Sequence, residues 1–256
     1  MDSFLTVFTT IFGVMIGSFL NALIYRLPRN IGISLPRSSC PHCNKLIYWY
    51  ENIPVLSYLF LRGKCSGCKN KISMEYPLVE IFCGIIAFWL APRSLHPDEL
   101  IRFAFLFSVF CAFLVHFIID LKHQILPDQV NIFLAVLFFV MAFINYNWVH
   151  WALGGAIGLG LPLLVTWIFY LLKGQVGLGG GDIKLYGALG LFLGPLGVMQ
   201  NLFFSCFLGA IVGLILIGLK IIKKENPIPF GPFIILVSFV QIFFTPFFNQ
   251  LLSYIP

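Results

Sequence analysis

Residues 103–120 read Phe-Ala-Phe-Leu-Phe-Ser-Val-Phe-Cys-Ala-Phe-Leu-Val-His-Phe-Ile-Ile-Asp. No charge interrupts this stretch until Asp120 closes it. A helix needs roughly 20 predominantly apolar residues to cross the hydrocarbon of a bilayer, and the run extended back to Glu99 has that length. Working outward, apolar runs at 4–25, 77–92, 99–119, 129–146, 148–172, 183–196, 198–222 and 231–253 predict an all-α polytopic membrane protein with about eight transmembrane helices. The composition agrees. Of 256 residues 59% are hydrophobic and 29 are Phe, while only 10% are charged; about a quarter would be charged in a soluble domain. Mean hydropathy is +0.95. A soluble globule is excluded, membrane lipid is an obligatory partner, and the net charge of +6 implies no nucleic-acid partner.

The distribution of that charge says more than its sum. The first run starts after Asp2 and ends before Arg26 and Arg29. A secretory signal has the opposite polarity, with basic residues first, so a retained span with its N-terminus outside is expected. From Arg26 to Tyr76 the apolar pattern stops, and Arg26, Arg29, Arg37, Lys45, Arg62, Lys64, Lys69 and Lys71 appear, half of the 16 basic residues. The positive-inside rule puts this loop in the cytoplasm. Threading the later spans alternately leaves Lys122, Lys173, Lys184, Lys220, Lys223 and Lys224 on the same side and only Arg93 and Arg102 opposite.

Within the loop, Cys40-Pro-His-Cys43 is followed by Cys65-Ser-Gly-Cys68. Two CxxC knuckles at this separation suit a tetrahedral zinc site, each supplying two thiolates from a tight turn. The competing reading, disulfides or idle thiols, is disfavoured in a reducing cytoplasm. Four thiolates leave no open position for water, which makes the metal structural. Its binding free energy would fold a segment too small to have much core of its own. His42 reads as a turn residue, and Cys83, Cys111 and Cys206 as small hydrophobes within spans.

Three of the ten acids stand at span edges on the predicted cytoplasmic side: Asp120, Asp128 and Asp182. An ionisable residue there is costly and is a functional candidate by default. Asp128 follows Pro127 and reads either as a helix N-cap or as a catalytic group. Asp182 follows Gly179-Gly-Gly181, whose exposed backbone is tolerable at membrane depth only where protein or a water-filled cavity satisfies it. Asp120 ends a helix, where the macrodipole disfavours an anion, so capping does not explain it. Two carboxylates from separate helices can share one proton, one accepting from water while the other donates to a carbonyl. Asp120 and Asp182 are the expected pair. His116 lies one turn before Asp120 and reads either as its neighbour or as an interhelical hydrogen-bonding residue. Lys184 reads either as a snorkelling lysine or as a cation beside Asp182.

These residues resemble the bacterial type IV prepilin peptidases. The resemblance runs from Gly17-Ser-Phe-Leu-Asn-Ala-Leu-Ile-Tyr-Arg-Leu-Pro28 through Tyr48-Trp-Tyr-Glu-Asn-Ile-Pro-Val-Leu-Ser-Tyr58, Leu61-Arg-Gly-Lys-Cys65 and Ile72-Ser-Met-Glu-Tyr-Pro-Leu-Val-Glu80. It continues in Asp120-Leu-Lys-His-Gln-Ile-Leu-Pro-Asp128 and in Gly179-Gly-Gly-Asp182-Ile-Lys184, similar to a GxGD motif. The resemblance implies a membrane aspartyl endopeptidase of the bacterial inner membrane, with zinc domain and active site facing the cytoplasm. It would cleave the basic leader from type IV prepilins and type II secretion pseudopilins. It would then N-methylate the new N-terminal residue, commonly Phe, with S-adenosylmethionine as donor. Carried over, Asp120 and Asp182 are catalytic and Cys40, Cys43, Cys65 and Cys68 hold zinc. The expected organisation is a first transmembrane helix at 1–25, a cytoplasmic zinc-binding domain at 26–76 and a seven-helix peptidase domain at 77–256. Glu51, Glu75 and Glu80 read either as attractors of a basic leader or as partners of the loop's own Lys and Arg. No motif identifies a methyl-donor pocket. The alternatives are a proton-coupled transporter, which explains the aspartates but not the cysteines, and a membrane-tethered zinc-ribbon adaptor.

Overall fold

The computed structural model describes residues 3–33, 35, 37–175, 177–221 and 228–245. Asp2, Lys223, Lys224, Glu225 and positions 246–253 of the eighth expected span lie outside them. The apolar runs become helices, and one short helix, α2, forms within the 26–76 loop: α1 Ser3–Arg26, α2 Leu56–Phe60, α3 Glu75–Leu90, α4 Pro97–His123, α5 Asp128–Asn145, α6 Trp148–Lys173, α7 Gly180–Gly218 and α8 Gly231–Phe243. Among the described residues there is no strand beyond two isolated bridges. Five helices, α1, α4, α5, α6 and α7, are long and apolar enough to cross a membrane.

Local signals set the boundaries. Helix α4 carries Asp98 and Glu99 in its first turn and Lys122 and His123 in its last, the charge order that the helix dipole favours. The Asn147 side chain accepts the His150 N–H at 2.9 Å to cap α6, which ends at Gly174 with φ 67°. The sixth and seventh expected spans are the two arms of α7, broken at Gly194, whose φ of 72° is followed by Pro195. Pro195 has no N–H to donate, so the Leu191 carbonyl four residues back receives no helical bond from it. Beside the break, His150 Nε2 meets the Phe192 carbonyl at 3.1 Å. That carbonyl can only accept, so the ring nitrogen carries the hydrogen.

The chain forms two compact units, Met1–Cys111 and Ala112–Pro256. In the first, α1 packs on α3 closely enough that a Cβ at Gly17 would lie 2.6 Å from the Glu80 Cα. In the second, α6 and α7 meet backbone to backbone where Gly154 faces Gly190. Small residues permit such approach where water supplies no hydrophobic drive between helices. Helix α8 is fastened to α7 by a buried polar cluster. Asn201 donates to Ser238 Oγ at 2.9 Å and to Gln241 Oε1 at 2.7 Å, Ser205 donates to Asn201 at 3.1 Å, and Gln241 donates to the Gly197 carbonyl at 3.0 Å.

Candidate active site and metal centre

The loop after α1 builds two equivalent knuckles. A bridge between Ser39 and Leu46 closes the first, and one between Lys64 and Lys71 closes the second. The Cys40 N–H donates to the Lys45 carbonyl and the Cys65 N–H to the Asn70 carbonyl, both at 2.9 Å. Asn44 and Lys69, each following the second cysteine of its knuckle, take left-handed φ of 56° and 61°. The knuckles bring four Sγ atoms within 4.8 Å of one another, with Cys40–Cys68 at 3.9 Å and Cys43–Cys65 at 4.0 Å. Zinc–sulfur bonds of about 2.3 Å in a tetrahedron require sulfurs about 3.8 Å apart. The donor set and its spacing therefore fit a zinc ion.

A second layer ties the knuckles together. Lys45 donates to Glu51 at 3.0 Å and to Ser66 at 2.6 Å, and Ser66 donates to the same carboxylate. The Ser66 hydroxyl and the Tyr48 N–H hold the Glu51 carboxyl well below the usual range, at about 2. Glu80, buried in α3, accepts the Val55 N–H at 2.7 Å. Glu51 is thus paired with a lysine of the loop, and Glu80 accepts a backbone N–H of the loop rather than a Lys or Arg.

In the second unit, Asp120 lies in the last turn of α4 and is only 5% exposed. Its Oδ2 is buried and has no hydrogen-bond partner among the described residues. Asp182 is the third residue of α7, after Gly179 in the N-cap position. Because that cap has no side chain, Asp182 itself turns back, and its Oδ2 stands 2.9 Å from where a Gly179 Cβ would be. An anion in a first helical turn is favoured by the dipole. The two carboxylates are close enough for the charge of Asp120 to act on Asp182. Leu126, from the connection between α4 and α5, wedges against both surroundings. A Cβ on Gly181 would lie 2.9 Å from the Leu126 Cβ, and one on Gly231 would lie 3.1 Å from its Cδ2.

The remaining polar residues fall into place around this pair. Asp128 is neither a cap nor free: Pro127 is the N-cap residue of α5, and Lys184 grips both Asp128 oxygens at 2.7 and 2.8 Å. Lys184 is therefore a tie between α5 and α7. His116 is wholly buried and faces Asn131 of α5. Asn131 in turn donates to the Gly181 carbonyl at 3.3 Å, steadying the glycine turn. Gly231 is the residue that sequence reasoning missed: its backbone lies against Asp120, where a Cβ would stand 2.7 Å from Oδ2. The breaker run Pro229-Phe-Gly-Pro232 before an apolar stretch was the available signal. Above the Asp128–Lys184 pair, α5, α6 and α7 line a groove of about 520 Å³ with mostly small and aliphatic walls.

Comparison with known proteins places both units in one lineage. Residues 11–93 match the bacterial peptidase A24 N-terminal domain and residues 105–214 the type IV leader peptidase family. Three similar proteins are each named prepilin leader peptidase/N-methyltransferase. That of Stutzerimonas stutzeri is 33% identical, covering 91% of this chain and 88% of its own. The Dichelobacter nodosus protein is 34% identical over 97% and 95%, and the Aeromonas salmonicida protein 36% identical over 91% and 88%. None of these names supports a transporter. No solved structure matches.

Proposed function

Since the chain belongs to the type IV leader peptidase family, we propose that it is a bifunctional prepilin leader peptidase and N-methyltransferase whose proteolytic pair is Asp120 and Asp182. The observation that carries this is the meeting of two carboxylates from distant helices, one of them buried with an oxygen that has no hydrogen-bond partner among the described residues. A buried carboxylate oxygen without a partner is expensive, and a place for water and a substrate carbonyl gives it a purpose.

The chemistry follows from sharing one proton. The ionised carboxylate takes a proton from water as the oxygen attacks the scissile carbonyl, and the protonated one donates to the carbonyl oxygen. The tetrahedral species then collapses as a proton passes to the departing amine, which leaves a free carboxylate and a free N-terminus. Prepilins and pseudopilins, with basic leaders ahead of an apolar helix, would present the scissile bond at the inner boundary of the bacterial inner membrane. The cytoplasmic side is supported by the basic loop at 26–76, since eight of 16 Lys and Arg sit there.

Cys40, Cys43, Cys65 and Cys68 would hold zinc as a closed structural site. When bound, S-adenosylmethionine supplies an activated methyl group for the new N-terminus. Cleavage of a purified prepilin by Asp120→Asn and Asp182→Asn variants tests the pair. Each should lose about 10³-fold or more in rate, because each removes one arm of the proton transfer. Efficient cleavage by either would take the pair out of the mechanism.

A further inference from the structure

We propose that α2 and the helical turn before it, Trp49–Asn52, lie in the bilayer interface. The apolar face of α2 sits among headgroups and upper acyl chains, and the basic turn after it binds anionic headgroups. The proposal rests on α3 crossing the membrane, which its apolar run at 77–92 implies.

A short helix in a water-facing loop turns its apolar stripe, at i, i+3 and i+4, toward a core. Helix α2 does the reverse. Leu56, Leu59 and Phe60 have that spacing and are 52%, 65% and 84% exposed. Tyr58 turns the other way, its hydroxyl donating to the Met74 sulfur at 2.8 Å. Helix α2 packs on the preceding turn, where Trp49 is 78% exposed and stands edge-on to the exposed Tyr50 at 5.8 Å. Five large apolar or aromatic side chains thus face outward from two neighbouring elements. Such a patch marks an interaction surface, and Trp and Tyr are the side chains enriched where hydrocarbon meets water.

Depth along α3 identifies the partner as lipid. Helix α3 has 16 residues, about 24 Å at 1.5 Å per residue. That falls short of the roughly 30 Å of hydrocarbon, so α3 has no turn to spare and its first residues stand at the boundary. Tyr76 marks this level. Its carbonyl accepts the Asn21 side chain of α1 at 3.0 Å, one turn before Tyr25, whose ring carries the Arg29 guanidinium at 4.1 Å. Glu80 lies one turn further into α3 than Tyr76, and its carboxylate accepts the N–H of Val55, the N-cap residue of α2, at 2.7 Å. Helix α2 therefore starts beside the second turn of α3, at the depth of the boundary and not above it. Met74, which Tyr58 touches, and Leu78 one turn on are both exposed, so the wall of α3 that meets lipid begins at the residue that holds α2.

The charges select an anionic surface. Arg62, Lys64, Lys69 and Lys71 follow α2, all exposed. An isolated bridge sets Lys64 directly opposite Lys71, a like-charge pairing that costs free energy unless an anion lies against it. The phosphates of anionic headgroups supply that anion, as they do for other polybasic segments beside a membrane. A basic leader carries the same sign as this turn and is repelled by it, which sets the substrate aside as the occupant.

The test is photo-cross-linking from the full chain, zinc-loaded, in nanodiscs of mixed phosphatidylethanolamine and phosphatidylglycerol. Benzoylphenylalanine replaces Phe60, Trp49 or, as the lipid-facing reference, Leu78, one position per chain, and adducts are read by mass spectrometry with and without a prepilin. Phe60 and Trp49 are exposed enough to accept the label without repacking, and each checks the other. Lipid adducts at positions 60 and 49 should form within about threefold of the yield at 78, as for side chains inserted at the interface. Adducts at 60 should be enriched in phosphatidylglycerol over its share of the bilayer, and the double change Arg62→Glu and Lys64→Glu should cut that enrichment by about twofold or more. Lower lipid yields at 60 and 49 than that, or label joined instead to prepilin or to another part of the chain, overturn the interfacial placement and leave the crossing of α3 standing. Enrichment unmoved by the charge reversal overturns the headgroup contact. No lipid adduct at 78 either overturns both the placement and the crossing on which it rests.

Discussion

Replacing Gly231 by Ala isolates the geometry of the proposed proteolytic pair from the stability of the fold. The added Cβ would lie 2.7 Å from Asp120 Oδ2 and 3.1 Å from both Asp120 Cγ and Leu126 Cδ2, whereas ordinary contact begins at 3.4 Å. The carboxylate must retreat by the difference, about 0.7 Å, and it is the softer neighbour because it is the end of a side chain whose Oδ2 has no hydrogen-bond partner among the described residues. A misplacement of about 1 Å of a reacting group can cost 10²-fold in rate, so a loss of about 30-fold in kcat for leader cleavage is expected. Stability should hold or rise by about 0.5 kcal/mol, since Ala is the better helix former and restricts the unfolded chain. The assay is cleavage of a purified prepilin in detergent, paired with a denaturant titration. Gly160→Ala serves as control, because a Cβ there meets nothing within 4 Å. Wild-type cleavage by a folded Gly231→Ala protein would refute the placement of Asp120 in the chemistry. Equal losses of stability and rate would reduce the effect to packing.

Three further outcomes follow from other contacts. Cys40→Ser should lose bound zinc, read by metal analysis, because the loop's folding is coupled to all four thiolates; a full equivalent of metal retained in that variant counts against the tetrad. Asn201→Leu deletes two bonds from α7 to α8, worth about 0.6 kcal/mol each on average and up to about 1.7. It should destabilise the chain by about 1–3 kcal/mol in an SDS titration, and no change would remove that cluster as the fastening of α8. Glu51→Gln should weaken the loop at neutral pH. The carboxyl is held at about 2, so its contribution is complete above its ordinary 4.5 and is lost as pH falls from there through about 2. The difference in melting temperature between wild type and Glu51→Gln should therefore be flat from pH 7 to 5 and shrink below; a difference that vanishes by pH 6 would contradict the bonding described.

The acidic residues show how far local reading reaches. Asp120 and Asp182 stood out as candidates because a carboxylate at a span edge is costly wherever it occurs, and cost is a property of residue type and hydropathy alone. The pairing of Asp128 was not legible, since its partner Lys184 is 56 residues away and pairing across helices leaves no trace in spacing. His116 was similarly ambiguous until Asn131 of another helix was seen opposite it. Gly231 acts through its lack of a side chain, and a glycine beside prolines looks the same whether it faces lipid or a buried carboxylate.

By itself the sequence determined that the chain lives in a membrane, that its apolar runs become helices and that its cysteines fall in two knuckles. Each of these follows from composition or from periodicity within one segment, where the physics is local. Only the tertiary structure decided that Leu126 and Gly231 shape the ground around the aspartates, that Lys45, Glu51 and Ser66 lock the knuckles together, and that α2 turns its apolar face outward. Those relations depend on which helix backbones can approach, and approach is set by packing among residues far apart in the chain.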